Sequence, residues 1–192
     1  MRPSRAKETD SLMARRGNSR TLAPRPSVPN PRPHLLNAVL AFVRAAQSTP
    51  GVLRIALLGS LATDKPVPKD ADVLVTIDAD MDLAPLARLG RRLHGAAQTI
   101  NLGADIFLAD AAGRYLGRIC HYRECWPRVA CRALSCGRRQ HLNDDLQIVT
   151  LSPTLLSAPP IDLWPHVVVR CAVPADTQTL LIAKLDDDPL KT

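Results

Sequence analysis

The sequence predicts an α/β fold of the mixed α+β kind, and three observations in its first two-thirds predict it. Residues 33–48 repeat apolar side chains at helical spacing. Two short apolar runs, 52–58 and 72–77, have the length of strands. A second helical pattern over 82–94 is followed by an apolar stretch over 99–108. The order helix, strand, strand, helix, strand calls for a mixed sheet with helices packed on it.

Each element has a local cause. In the first helix Leu35, Leu36, Val39, Leu40, Phe42, Val43 and Ala46 form a broad stripe, with Pro33 near its start and Pro50-Gly51 at its end. The run 52–58 delivers Gly59 and Ser60. The nine residues that follow contain Pro66 and Pro68, leaving room for one short helical turn before Pro66. Asp82 is placed to cap the second helix, with Pro85 in its first turn, Leu86, Leu89 and Leu93 facing inward and Gly95 as its stop. The third strand carries Asp105, with a break or bulge expected at Gly103. Beyond Ala111 the periodicity fades. Strands are expected over 145–151 and 166–173, a Pro-containing loop over 152–160, a closing helix or strand over 177–185, and a frayed acidic end over 186–188. There is no internal repeat.

Charge divides the 192-residue chain unevenly. Residues 1–33 hold eight Lys or Arg against two acids, while the rest hold seventeen against sixteen. The net +7 therefore sits mostly in a tail rich in Arg, Pro and Ser, which cannot bury enough apolar surface to offset chain entropy. The expected organisation is a disordered basic tail (1–33), a core (34–111) and a Cys/Arg-rich extension packed on it (112–192). The tail reads either as an inert solvated leader or as a nucleic-acid-binding arm. No stretch has the apolar length to span a bilayer and no signal-peptide core is evident, so a cytoplasmic protein without a membrane partner is expected.

Chemistry concentrates in Leu58-Gly59-Ser60 and Asp70-Ala71-Asp72-Val73. Residues two apart on a strand point to one side, so Asp70 and Asp72 project from one face near the strand's beginning. Paired carboxylates suit a hard cation such as Mg²⁺, which leaves other positions to water or phosphate. Gly59, lacking a Cβ, lets backbone and the Ser60 hydroxyl approach a phosphate closely. These residues resemble the signature of the nucleotidyltransferase superfamily that includes DNA polymerase beta: an apolar residue, Gly, Gly or Ser, a spacer, then Asp, apolar, Asp or Glu, apolar. The match covers about residues 34–110, a minimal nucleotidyltransferase-like core. The resemblance implies a third carboxylate on a later strand, supplied by Asp105 in Ala104-Asp105-Ile106-Phe107-Leu108.

It also implies a Mg-dependent transferase. Asp70, Asp72 and Asp105 are then catalytic and metal-holding, Gly59 and Ser60 bind the nucleotide, and a nucleoside monophosphate moves from a nucleoside triphosphate such as ATP to a hydroxyl acceptor on a protein, an RNA or a small molecule. No nucleophilic side chain is needed, which leaves His94, His121 and His166 without a catalytic role. Larger members hold the acceptor with a helical second domain, and no such domain is evident here.

Cys120, Cys125, Cys131 and Cys136 lie within seventeen residues, with His121 and His141 alongside. Such a density of soft ligands suits tetrahedral Zn²⁺, with His141 as a replacement ligand, although the spacing is looser than paired Cys-x-x-Cys. The alternative is a set of small buried residues; Cys171 lies apart. Arg114, Arg118, Arg123, Arg128, Arg132, Arg138 and Arg139 face only Glu124 within the segment, giving either a solvated cationic face or a phosphate-binding one. Two rival classes therefore stand beside the transferase: a nucleotidyltransferase-fold antitoxin that acts as a binding partner, and a zinc-stabilised nucleic-acid-binding module.

Overall fold

The computed structural model describes residues 30–123, 139–143 and 151–187. Helix α1 (Arg32–Ala46) leads into β1 (Val52–Leu58), a 3-10 turn (Gly59–Ala62) and β2 (Asp70–Ile77). Helix α2 (Leu83–Gln98) crosses to β3 (Gly103–Asp110), which is followed by β4 (Tyr115–Ile119) and β5 (Leu142–Asn143). A second 3-10 turn (Pro153–Leu156) precedes β6 (Ile161–Trp164), and the chain closes in α3 (Ala175–Thr177), a π-helical segment (Gln178–Ile182) and α4 (Ala183–Asp186). The predicted order of helix, strand, strand, helix, strand is the order found over residues 32–110.

The six strands form one mixed sheet in the order β5-β4-β3-β2-β1-β6. Only β2 and β3 run parallel; their register is unbroken from Asp70 opposite Gly103 to Ile77 opposite Asp110. A parallel pair needs a crossover longer than a hairpin, and α2 is that crossover. Its start follows the expected physics, because the Asp82 carboxylate accepts from the Ala84 N–H at 2.9 Å.

One face of the sheet packs on the helices. Ala71, Val73, Val75 and Ile77 of β2, with Ala104, Ile106 and Leu108 of β3, join Leu35, Leu36, Val39, Val43, Leu86 and Leu93 in a single core. Leu181, Ile182 and Leu185 add the C-terminal helical run to the same cluster. The other face bears the alternate residues of each strand, among them Asp70, Asp72 and Asp105. On that face Asp162 of β6 is buried between two guanidiniums, accepting from Arg54 Nε at 2.6 Å and from Arg170 Nη2 at 2.7 Å.

Several expectations shift. Helix α1 begins at Arg32, inside the stretch assigned to the tail; residues 1–29 lie outside the described residues. Helix α2 runs through Gly95 to Gln98, since one glycine costs only about 1 kcal/mol in a helix whose inner face is buried. Strand β3 starts at Gly103 and has no bulge against β2. The strand expected at 166–173 is only a bridge at Val168. The real strand is Ile161–Trp164, too short and too closely flanked by Pro160 and Pro165 to show alternation. Strands β4 and β5 were not anticipated. The loop at 152–160 holds the second 3-10 turn, and the closing segment is helical through Asp186. Residues 145–150 of the other expected strand lie outside the described residues.

Among the described residues no helix is long and apolar enough to cross a membrane. Leu86, fully buried in the core, provides a test of the packing. Leu86→Ala should lower the unfolding free energy by about 2–5 kcal/mol, whereas Leu53→Ala, at an exposed site, should stay within about 0.5 kcal/mol. Urea denaturation of both variants checks the difference.

Candidate functional site

Strand register decides where the predicted carboxylates lie. Asp72 pairs across with Leu58 on one side and with Asp105 on the other. Paired neighbours in a sheet project from the same face, and Asp70, two residues before Asp72, shares it. The three acids therefore occupy one end of the face opposite the helices. Gly59, which follows Leu58 directly, lies against Asp72.

Glycine lies against both acids of the first pair, and at Gly59 the backbone conformation itself favours it. Gly59 has φ +66°, and a Cβ there would fall on the Asp72 carboxylate. A Cβ at Gly103 would fall on the Asp70 carboxylate. Each acid thus lies over bare backbone, and Gly103, expected as a flaw in the strand, is instead the space Asp70 needs.

The electrostatics of the acids differ. Asp72 is 8 % exposed. Burial raises its pKa first, and the nearby charges of Asp70 and Asp105 add to it, from an ordinary 3.8 to about 7. Asp105 moves the other way. His121 bonds to it, with Nε2 to Oδ1 at 3.2 Å, and this outweighs its burial; the Arg118 guanidinium, 3.5 Å away, also favours the charged form. His94 packs against His121 with ring centroids 4.2 Å apart and ring planes tilted by 43°. Arg118 and His121 are thus part of the site's surroundings, thirteen and sixteen residues after Asp105; the sequence marks them only as members of the Cys/Arg-rich segment, because β4, which carries Arg118 and leads to His121, has no period to read. The acids share a face and a field, but among the described residues no group of three His, Cys, Asp or Glu side chains is gathered into a metal-ligand set.

The loop between the two halves of the motif is held from below. The guanidinium of Arg32, 4 % exposed, lies within hydrogen-bond distance of the carbonyls of Ser60 (3.1 Å), Thr63 (3.0 Å), Lys65 (2.9 Å) and Leu61 (3.2 Å), the two Nη1 hydrogens being shared among the first three. It also pairs with Asp176 and Thr177. Nothing in Pro31-Arg32-Pro33 distinguishes this arginine from its neighbours in the basic tail.

In the Cys/Arg-rich segment, Cys120 is buried and its N–H donates to the His141 carbonyl at 2.8 Å. His141 is buried too, and burial, aided by Arg91, lowers its pKa. Cys125, Cys131, Cys136, Glu124, Arg128, Arg132 and Arg138 lie outside the described residues. The expected cationic face is partly neutralised by acids from β3, because Arg114 pairs with Asp110 at 2.7 Å and Arg118 with Asp105. Among the described residues, one nitrogen of Arg139, Nη2, is buried without a hydrogen-bond partner.

No family model matches the chain, and comparisons with curated proteins and with solved structures return no match.

The raised pKa of Asp72 fixes the sign of a pH dependence. The folded chain holds a proton on Asp72 that the unfolded chain releases near pH 3.8, so this contribution to stability is complete below that pH and is lost as pH rises through about 7. Asp72→Asn removes the ionisation. Between pH 5 and pH 8 the wild-type unfolding midpoint should fall relative to that of the variant, which should be the more stable of the two at pH 8. Denaturation curves of both proteins across that range check it.

Proposed function

We propose that the chain is a Mg²⁺-dependent nucleotidyltransferase that moves a nucleoside monophosphate from a nucleoside triphosphate to an acceptor hydroxyl. The observation that carries this reading is the pairing of Asp72 with Asp105 on adjacent parallel strands, with Asp70 two residues upstream and Gly59-Ser60 at the same end. The donor set suits the metal: all three are carboxylates, and burial together with the repulsion from Asp70 and Asp105 raises the Asp72 pKa, a penalty on its charge that a divalent cation relieves.

Asp70 and Asp72 would hold the metal, and Asp105 would join them by exchanging its contacts with His121 and Arg118. Bound Mg²⁺ supplies positive charge for the phosphates and for the attacking and leaving oxygens of an in-line displacement. Gly59 and Ser60 would hold the outer phosphates. The acceptor oxygen bonds to the α-phosphorus as the bond to the bridging oxygen breaks. Pyrophosphate leaves with that electron pair, and the hydroxyl proton passes to a carboxylate oxygen of Asp105.

Incubation with labelled ATP, CTP, GTP and UTP, Mg²⁺ and a cell lysate tests the reading by where label lands. Label should transfer only with Mg²⁺, and Asp72→Asn should lower the rate by about a hundredfold or more, the effect of losing roughly 3 kcal/mol of transition-state stabilisation. Full turnover by the variant would place the chemistry elsewhere.

A second reading, compatible with the first, is a structural zinc held by Cys120, Cys125, Cys131 and Cys136, with His141 as a replacement ligand. It is favoured by the hydrogen bond that brings Cys120 and His141, the two ends of that segment, together. Protein purified without added zinc should carry about one equivalent, and a chelator should loosen this segment before the core. Metal analysis and chelator titration decide it; under a tenth of an equivalent with intact thiols would favour buried cysteines.

A further inference from the structure

We propose that Arg32 is the positioning residue of the Gly59-Ser60 turn, and that the C-terminal helical run acts on the carboxylate site through it. Its consequence for nucleotide rests on the transferase reading above; the clamp itself does not.

The segment 59–69 separates Gly59-Ser60 from Asp70-Ala71-Asp72, so its path sets how the two halves of the motif face each other. Leu61 and Ala62 seat its start in the core, but residues 64–67 are exposed and have little to hold them. Beyond the one 3-10 turn, the backbone bonds anchoring the segment are Thr63 N–H to the Ser60 carbonyl and Gly103 N–H to the Lys69 carbonyl, both 3.3 Å, and Pro66 and Pro68 lack donors. Arg32 fills that gap with four carbonyl contacts inside six residues.

The guanidinium is in turn aimed by the far end of the chain. Arg32 Nε donates to Asp176 Oδ2 at 2.6 Å and Nη2 to Asp176 Oδ1 at 3.1 Å, a forked pairing. Thr177 accepts from Arg32 Nη2 at 3.1 Å and donates its hydroxyl to the Leu61 carbonyl at 2.9 Å, so the C-terminal run also grips the turn directly. Lysine cannot replace this fork: an ammonium offers three donors from a single point, and it would leave buried carbonyls or the Asp176 carboxylate unpaired.

Arg32→Lys, Asp176→Asn and Thr177→Val in the full chain separate positioning from general support. Hydrogen exchange should quicken about tenfold or more across 59–69 in each folded variant, with β3 and α2 as protected as in wild type, an opening of the loop alone. For Mg·ATP, the KM of transfer should rise about tenfold while kcat changes less than about threefold. Asp176→Glu, which keeps a carboxylate in reach, should restore most of both. If Arg32→Lys does not fold, Asp176→Asn and Thr177→Val decide the matter alone. Unchanged exchange at 59–69, or exchange quickened equally in β3 and α2, would overturn the proposal. A wild-type protein that transfers no nucleotide would overturn the transferase reading, and the exchange data would still decide the role of Arg32.

Discussion

Two strands that run in parallel cannot be joined by a tight turn, and much of the molecule's plan follows from the pairing of β2 with β3. The connection must leave the sheet and return, which makes α2 obligatory and puts its apolar face on the strands it joins. The same register sets Asp72 beside Asp105. A one-residue slip would turn one of the two acids into the core against Val73 and Ile106, where an uncompensated carboxylate is costly. Core packing and the gathering of acids are therefore one constraint, because the alternation that buries Ala71, Val73, Val75 and Ile77 presents Asp70 and Asp72 on the other side.

That gathering opposes stability. The free energy that disfavours a charged Asp72 arises from burial and from neighbours of like sign, a combination natural to sites that bind cations. Asp105 shows a different solution within the same sheet: His121 and Arg118 supply hydrogen bonds and positive charge. The glycines at 59 and 103 remove the steric half of the difficulty, leaving room for carboxylates against backbone. Arg32 carries a related economy in the loop, since one desolvated cation satisfies several carbonyls and is itself balanced by Asp176.

The elements legible in the sequence were those with a period. The stripe of α1, the apolar runs of β1 and β2, the Asp82 cap and the strand bearing Asp105 all have local causes, and each lies close to where the pattern places it. Strands β4, β5 and β6 are too short for alternation to register, and their identity comes from neighbours already in the sheet. Gly95 and Gly103 do not act as the sequence suggests, for two reasons: the buried inner face of α2 carries the helix past Gly95, and Gly103 faces the Asp70 carboxylate rather than bending the strand. The candidate acids were visible as a motif. Arg32, Asp176 and Thr177 were not, because their roles are contacts across as many as 145 residues of chain; Arg118 and His121 stood out as members of the Cys/Arg-rich segment, but their contacts with Asp105 did not, since β4 carries no period.

The hydrogen bond between Cys120 and His141 ties the end of β4 to the start of β5. The entropy of closing a loop grows only with the logarithm of its length, so doubling the span between these anchors costs about 0.6 kcal/mol. Once β4 and β5 are paired, the sheet is therefore nearly indifferent to how many residues lie between them. Segments of different length between β4 and β5 would thus disturb the placement of the three acids little.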